Sequence, residues 1–311
     1  MALTIKKAVK LDAKLRMALY GPSGSGKTYT ALLFARALAG PDGRILVVDS
    51  EHGSASKYVG MPSIGGFDVI ELSGDFSPTT YKTAAIMAGQ NGYDVLVIDS
   101  LSHAWTGAEG ALDQVDKKAR YGSGNTFNAW KDVTPQMREM TEAIIAAPPH
   151  VIATMRAKTD YVQETGANGK TAIRKVGLGP IMGKDIEYEF DIVGVMDLDN
   201  GLMIEKTRCF ALRGKHFHHP GADVMDAVKD WLSGADAESR EQSLAALGAR
   251  FLALEDGNAV NAESRMGRAA MHVSGGIVGR MTDLPTEMLL EVERLLDRAE
   301  AARAARAAEA E

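Results

Sequence analysis

A single cysteine, Cys209, stands in 311 residues. No internal disulfide is open to the chain, and a reducing cytoplasm is the expected setting. No apolar run approaches the length of a bilayer-spanning helix, so no membrane partner is expected. Met1-Ala2-Leu3-Thr4-Ile5-Lys6-Lys7 lacks the apolar core of a secretory signal. Lysine is absent from residue 235 onward, where nine Arg face 14 Asp and Glu, a net charge of −5. The preceding residues carry 26 basic and 27 acidic side chains, a net of −1. The chain as a whole, at −6, lacks the basic excess of a dedicated duplex-DNA reader. A near-neutral body still leaves room for local basic loops that hold an anion. Apolar residues at 45% and charged residues at 24% exclude wholesale disorder, collagen and coiled coil. The length suits one large domain with an appendage.

Apolar strand-like runs alternate with helical spacing. Lys14–Tyr20, Arg44–Asp49, Phe67–Leu72, Asp94–Asp99 and Val151–Met155 read as strands, the middle three as buried ones. Helices are expected near Thr28–Ala39, 132–147 and Asp223–Leu232. This alternation predicts an α/β fold with a mainly parallel sheet flanked by helices. Phe190–Leu198, Leu202–Lys206 and Arg208–Leu212 read as a closing meander. Residues 107–129 and 157–185 are rich in Gly and read as long loops, the kind that is functional or disordered. The tail carries two helical patterns, near 238–254 and 285–309.

Gly21-Pro22-Ser23-Gly24-Ser25-Gly26-Lys27-Thr28 matches GxxxxGK[ST] in full, after a strand and at the start of a helix. Glycines let successive backbone N–H groups converge on phosphate oxygens, and the helix N-terminus adds partial positive charge. Lys27 is expected at the β- and γ-phosphates and the Thr28 hydroxyl on Mg²⁺, with Tyr29 completing the nucleotide-binding segment. ATP and Mg²⁺ are the expected cofactors. Asp99 ends an apolar strand at the sheet's C-terminal edge, where a carboxylate would join Thr28 at the metal; a plain strand-end cap is the alternative. Ser100 follows it, where many phosphate-loop ATPases carry a catalytic Glu. Glu51, beyond the strand ending at Asp49, is the remaining candidate base for a water attacking the γ-phosphate. The alternative is that Asp49 or Glu51 caps the following turn.

Asp49-Ser50-Glu51-His52 resembles the catalytic-glutamate segment of RecA-like recombinases, and Val97-Ile98-Asp99-Ser100 resembles their Mg²⁺ strand. Glu205-Lys206-Thr207-Arg208 is similar to their late Lys/Arg pair. Closer still is the resemblance to phage-encoded RecA-like ATPases of the Sak single-strand annealing type. It runs through Gly21–Leu32, Val48–Tyr58, Ala129-Trp130, Thr134-Pro135, His150–Tyr161, Lys175–Gly177, Tyr188–Asp191 and Lys206–Arg208, and covers roughly residues 10–232. The resemblance implies a RecA-like ATPase core over 14–234. The large N-terminal polymerisation module of these recombinases is reduced here to an arm over 1–13, expected to add a strand to a neighbouring subunit for oligomerisation. The composition shift marks an acidic helical extension over 235–311 that lies outside the resemblance. It implies ATP-dependent annealing or recombination by a head-to-tail homo-oligomer, ring or filament, with ATP at subunit interfaces and activity stimulated by single-stranded DNA. If the chain is phage-encoded, the bacterial host cytoplasm is its setting.

A further departure lies on the strand after the Mg²⁺ strand. Where these recombinases carry a Gln that couples nucleotide to the DNA loop, this chain has Thr154, followed by Met155-Arg156. Arg156 or Lys158 is the candidate substitute. Lys206 and Arg208, two apart on a strand, share a face and are the expected trans finger on a neighbour's γ-phosphate, with a solvated strand face as the alternative. Arg156, Lys158, Tyr161, Arg174 and Lys175 combine basic and aromatic side chains suited to single strands, as do Lys117, Lys118 and Arg120 in the other loop. Trp130 reads as core packing. His216-Phe217-His218-His219 lacks a recognisable metal-ligand spacing, and Cys209 reads as buried. The extension is a candidate contact for a single-strand-binding protein. Other readings are an ATP-switched replication or repair accessory module, a helicase-like motor and, lower still, a small-molecule phosphate-loop kinase.

Overall fold

The computed structural model describes residues 13–121, 125–165, 171–183, 186–233, 235–274, 279–283 and 286–309. The expected N-terminal arm lies outside the described residues, apart from Ala13. In chain order the elements are β1 (Arg16–Gly21), α1 (Lys27–Ala39), β2 (Ile45–Asp49), β3 (Asp68–Glu71), α2 (Pro78–Gln90), β4 (Val95–Asp99), α3 (His103–Thr106), α4 (Ala111–Tyr121) and α5 (Thr126–Ala146). Then come β5 (His150–Thr165), β6 (Thr171–Pro180), β7 (Ile192–Met196), β8 (Gly201–Thr207), β9 (His216–His218) and α6 (Ala222–Ser233). The helices α7 (Ala235–Leu254), α8 (Ala259–Val273) and α9 (Thr286–Glu309) follow. The described residues divide into two compact units, one ending at Leu232 and one from Ser233 onward.

The sheet runs β3-β2-β4-β5-β1-β7-β8-β9, with β6 paired to β5 off this path. Every pairing from β3 to β7 is parallel, and β7-β8-β9 closes antiparallel. Successive strand residues point to opposite faces, and the core follows that alternation. Met17, Leu19, Ile45, Val47, Val95, Val97 and Ile152 pack with Leu32, Phe34 and Ala35 of α1 and Val224, Met225 and Val228 of α6. Ala18, Tyr20, Leu46, Val48, Leu96, Ile98, Val151 and Ala153 pack on the other face with Tyr81, Ala84 and Ala85 of α2 and Met140 and Ile144 of α5. Each such Val, Leu, Ile or Phe, fully buried, contributes roughly 1.5–3 kcal/mol. Apolar residues on both faces of a strand explain the continuous runs in the sequence.

Local signals set the helix ends. Gly26 precedes α1 at φ 82°, a left-handed backbone that glycine adopts without steric cost. Ser77 caps α2 with Pro78 in its first turn, and the Asn125 side chain accepts from Phe127 N–H at the start of α5. The buried Arg16 guanidinium donates to the carbonyls of Ile145, Ala147 and Pro149 just where α5 ends. It thereby satisfies acceptors that a helix C-terminus leaves open.

Several expectations are corrected. Residues 107–129 are largely a helical hairpin, with α4 and the first turn of α5, because Ala111, Val115, Ala129 and Val133 form a small apolar core of their own. Residues 157–185 are chiefly a two-stranded antiparallel ribbon formed by β5 and β6, paired from Ala157↔Pro180 to Thr165↔Thr171. Strand β3 is mostly exposed, since it lies at the sheet edge. Phe210–Leu212 is a 3₁₀ turn, and the third strand of the meander is β9 instead. The tail holds a helix missed in the sequence, α8, whose Ala262 and Ala270 pack with Leu247, Phe251 and Val292. Among the described residues no helix is long and apolar enough to cross a membrane.

Candidate nucleotide site

Parallel pairing brings the ends of four strands to one edge. Gly21 at the end of β1 lies opposite Arg156 on β5, and Asp49 at the end of β2 lies opposite Asp99 at the end of β4. That edge opens into a cleft of about 1060 Å³ bordered by Gly24, Lys27, Thr28, Glu51, Asp99 and Arg156.

The phosphate loop forms the floor. Gly24 and Gly26 both have positive φ, and a Cβ on Gly21 would stand 2.4 Å from the Met196 carbonyl oxygen. Glycine is therefore required at Gly21 by packing and at Gly24 by backbone conformation. Ser25 folds back so that its Oγ donates to the Pro22 carbonyl at 2.9 Å. Lys27 Nζ donates to the Gly21 and Pro22 carbonyls at 3.1 and 2.8 Å. Burial lowers the Lys27 pKa, against the opposing charges of Asp99 and Glu51.

Asp99 is almost fully buried and has two hydroxyl donors. Thr28 Oγ1 reaches its Oδ2 at 2.7 Å, and Thr154 Oγ1 donates to its Oδ1. Burial raises the Asp99 pKa, and the two hydroxyls oppose that shift. A hydroxyl beside a buried carboxylate is an all-oxygen donor set of the kind Mg²⁺ takes together with phosphate oxygens. Thr28 and Asp99 therefore fit the metal.

Glu51 is held on a loop that Asp49 organises. Buried Asp49 accepts from Glu51 N–H at 2.7 Å and from Ala55 N–H at 2.9 Å. Asp49 is thus the turn cap, and the Glu51 carboxylate is left to reach across the edge. There Oε1 accepts from Arg156 Nε at 3.0 Å, Oε2 accepts from Arg156 Nη2 at 2.7 Å, and Ser100 Oγ donates to Oε1 at 3.1 Å. Burial pushes the Glu51 pKa up, but hydrogen bonds and charge from Arg156, with help from His103 and Ser100, outweigh it and hold it low. His103 Nδ1 lies 4.0 Å from Glu51 Oε1 and 2.7 Å from Ser50 Oγ. Burial, and then the Arg156 charge, lowers the His103 pKa. The sequence reading gave Ser50 and His103 no role; the polar residues that follow two apolar strands, Asp49-Ser50-Glu51-His52 and Ser100, Ser102 and His103, were their signals.

Comparison with known protein families matches residues 13–218 to an AAA domain. The chain belongs to the AAA domain family. It is therefore a phosphate-loop ATPase with an α/β core. A search of curated proteins found no match. The match spans the cleft, the ribbon and the closing meander.

The other predicted residues lie away from the phosphate loop or are otherwise engaged. Lys206 Nζ donates to the carbonyls of Glu187, Tyr188 and Phe190 at 2.8, 2.9 and 2.7 Å. It stitches β8 to a 3₁₀ turn rather than projecting as a free finger. Burial, then the Arg208 charge, lowers its pKa. Arg208 is exposed and pairs with Asp191 at 2.9 Å. Lys117 pairs with Glu109 and Asp113, and Lys118 with Asp132, so that stretch of α4 is charge-compensated. Arg120 is exposed on the same helix, and Lys158 on the ribbon. Tyr161, Arg174 and Lys175 have backbone in the ribbon, but their side chains lie outside the described residues. Trp130 stacks on Trp105 with ring centroids 5.5 Å apart, and Cys209 is buried. Among the described residues no cluster of metal-ligating side chains is present, the His216–His219 segment included.

Proposed function

We propose that this chain is an ATP-dependent single-stranded DNA-binding and annealing or recombination ATPase of the phage RecA-like type, working as a head-to-tail homo-oligomer. The observation that carries the reading is strand β5. Thr154 and Arg156 on it touch Asp99 and Glu51, and the same strand continues into the β5–β6 ribbon. A ligand that shifts the ribbon therefore acts on the two carboxylates through continuous backbone.

In the hydrolytic step a water oxygen attacks the γ-phosphorus and the bond to the β–γ bridging oxygen breaks, leaving ADP and inorganic phosphate. Glu51 takes the water's proton. Backbone N–H groups of the phosphate loop and Lys27 offset charge on the phosphates. Thr28 and Asp99 would hold Mg²⁺, which supplies charge neutralisation of the phosphate oxygens. Tyr29 and Tyr58, with ring centroids 5.7 Å apart beside the cleft, offer an apolar surface for the base.

DNA contacts are assigned to Lys158, Tyr161, Arg174 and Lys175 on the ribbon, with Arg120 and exposed Tyr121 and Phe127 on the α4–α5 hairpin. Arg208 of one subunit is assigned to the γ-phosphate on the next, with the acidic extension as a contact for a single-strand-binding protein. The test is steady-state ATP hydrolysis with no DNA, single strands or duplex, at low and moderate salt. The reading predicts stimulation by single strands that salt weakens. Equal rates in all three conditions overturn it.

A further inference from the structure

The same guanidinium that grips Glu51 also borders the nucleotide cleft. Arg156 forms a two-point pair with the carboxylate, one hydrogen bond to each oxygen. A carboxylate that accepts two charge-assisted hydrogen bonds, and a third from Ser100, is a weak base. Proton abstraction by Glu51 thus requires Arg156 to move to another anion.

A nucleotide bound in the cleft would supply one. Among the described residues Arg156 and Lys27 are the Lys and Arg side chains that border the cleft, with His219 also in its lining. Lys27 is fixed to the loop floor, whereas the Arg156 side chain is about half exposed, at 47%. Its backbone is anchored, since its N–H donates to Ser102 Oγ at 2.9 Å and its carbonyl accepts from Ile181 N–H at 2.7 Å. The side chain can swing while the strand stays in place.

We propose that Arg156 is a two-position latch: it holds Glu51 in one position and transfers to the γ-phosphate of bound ATP in the other, releasing Glu51 to act as base. Arg156 is then a positioning residue for the base and a reader of the third phosphate. ADP, which lacks that phosphate, leaves the latch on Glu51. The inference rests on the ATPase reading above and adds a residue that distinguishes ATP from ADP.

A double-mutant cycle on nucleotide affinity tests it, using a non-hydrolysable ATP analogue and ADP as probes. Glu51→Gln removes the competing anion, so analogue affinity rises roughly tenfold, the scale of one charge-assisted hydrogen bond, while ADP affinity holds. In an Arg156→Ala background the same Glu51→Gln change yields no gain, and Arg156→Ala alone loses preference for the analogue over ADP. ADP binding by Arg156→Ala also reports that the fold is intact, and Arg156→Lys retains part of the preference. Simple repulsion between Glu51 and phosphate predicts the opposite: the gain persists without Arg156, and that result overturns the latch. An equal gain for analogue and ADP overturns it too. Lys27→Ala separates the two levels. If Lys27→Ala binds nucleotide normally, the site assignment itself fails; if it abolishes binding while the cycle shows no coupling, only the latch fails.

Discussion

Thr28 Oγ1 donates to Asp99 Oδ2 at 2.7 Å, joining the first turn of α1 to the end of β4 across 71 residues of sequence. The pair predicts that Thr28→Val and Asp99→Asn weaken the Mg²⁺ dependence of hydrolysis, while Thr28→Ser does not. The expected loss of apparent Mg²⁺ affinity is roughly 10–100-fold, the range for groups that orient a metal's ligands. Titrating Mg²⁺ at fixed ATP measures it. An unchanged Mg²⁺ midpoint in Asp99→Asn would remove Asp99 from the metal site.

Lys27 and Glu51 separate binding from turnover. Lys27→Ala is expected to abolish ATP binding in equilibrium titration. Glu51→Gln is expected to bind ATP and lose at least about 10²-fold in turnover, within the contribution of a positioned general base. Normal turnover in Glu51→Gln sinks the assignment.

The meander pair divides by role. Lys206 holds three carbonyls, so Lys206→Met is expected to lower stability by roughly 1–3 kcal/mol, as acceptors lose their donor. Exposed Arg208→Ala is expected to stay within about 0.5 kcal/mol of wild type. Denaturant unfolding of both variants checks this. In hydrolysis, mixing Lys27→Ala with Arg208→Ala subunits restores activity if Arg208 acts on a neighbour. No recovery at any ratio counts against a finger in trans.

An acid-sensitive element lies at the opposite edge of the sheet. Leu15 N–H donates to His150 Nδ1 at 2.9 Å, which holds the ring neutral with its proton on Nε2. Burial, with Lys14 and Arg16 nearby, lowers its pKa from 6.5 to about 4. The unfolded chain therefore binds a proton that the folded chain refuses between these values. Stability from this group is full above the unfolded pKa and is lost as pH falls from 6.5 toward 4. Its steepest slope is about 1.4 kcal/mol per pH unit. His150→Asn keeps an acceptor for Leu15 and cannot charge, so its unfolding midpoint is expected to fall less over that window. Parallel pH curves for the two proteins contradict the assignment.

Much of this site was legible in the sequence because its chemistry is local. Gly21–Thr28 must be contiguous to wrap a phosphate, and Asp49 and Asp99 announce themselves by ending apolar strands. The ribbon was not legible, since the glycines and lysines of 157–185 resemble loop composition and its pairing is satisfied only by the partner strand. The α4–α5 hairpin was hidden for a similar reason, with Gly110 and Asn125 flanking helices whose shared apolar face is small. The Glu51–Arg156 pair spans 105 residues, and only the parallel register of β1, β2, β4 and β5 brings it together. Lys206 read as a free strand-face cation because its three carbonyl partners lie in a turn with no side-chain signature.

The most direct test of the account is the affinity for a labelled single-stranded oligonucleotide, measured by fluorescence anisotropy with a non-hydrolysable ATP analogue or with ADP. The account predicts tight, salt-sensitive binding with the analogue and weak binding with ADP, because β5 joins the γ-phosphate site to the ribbon. Equal affinity with both nucleotides would contradict it.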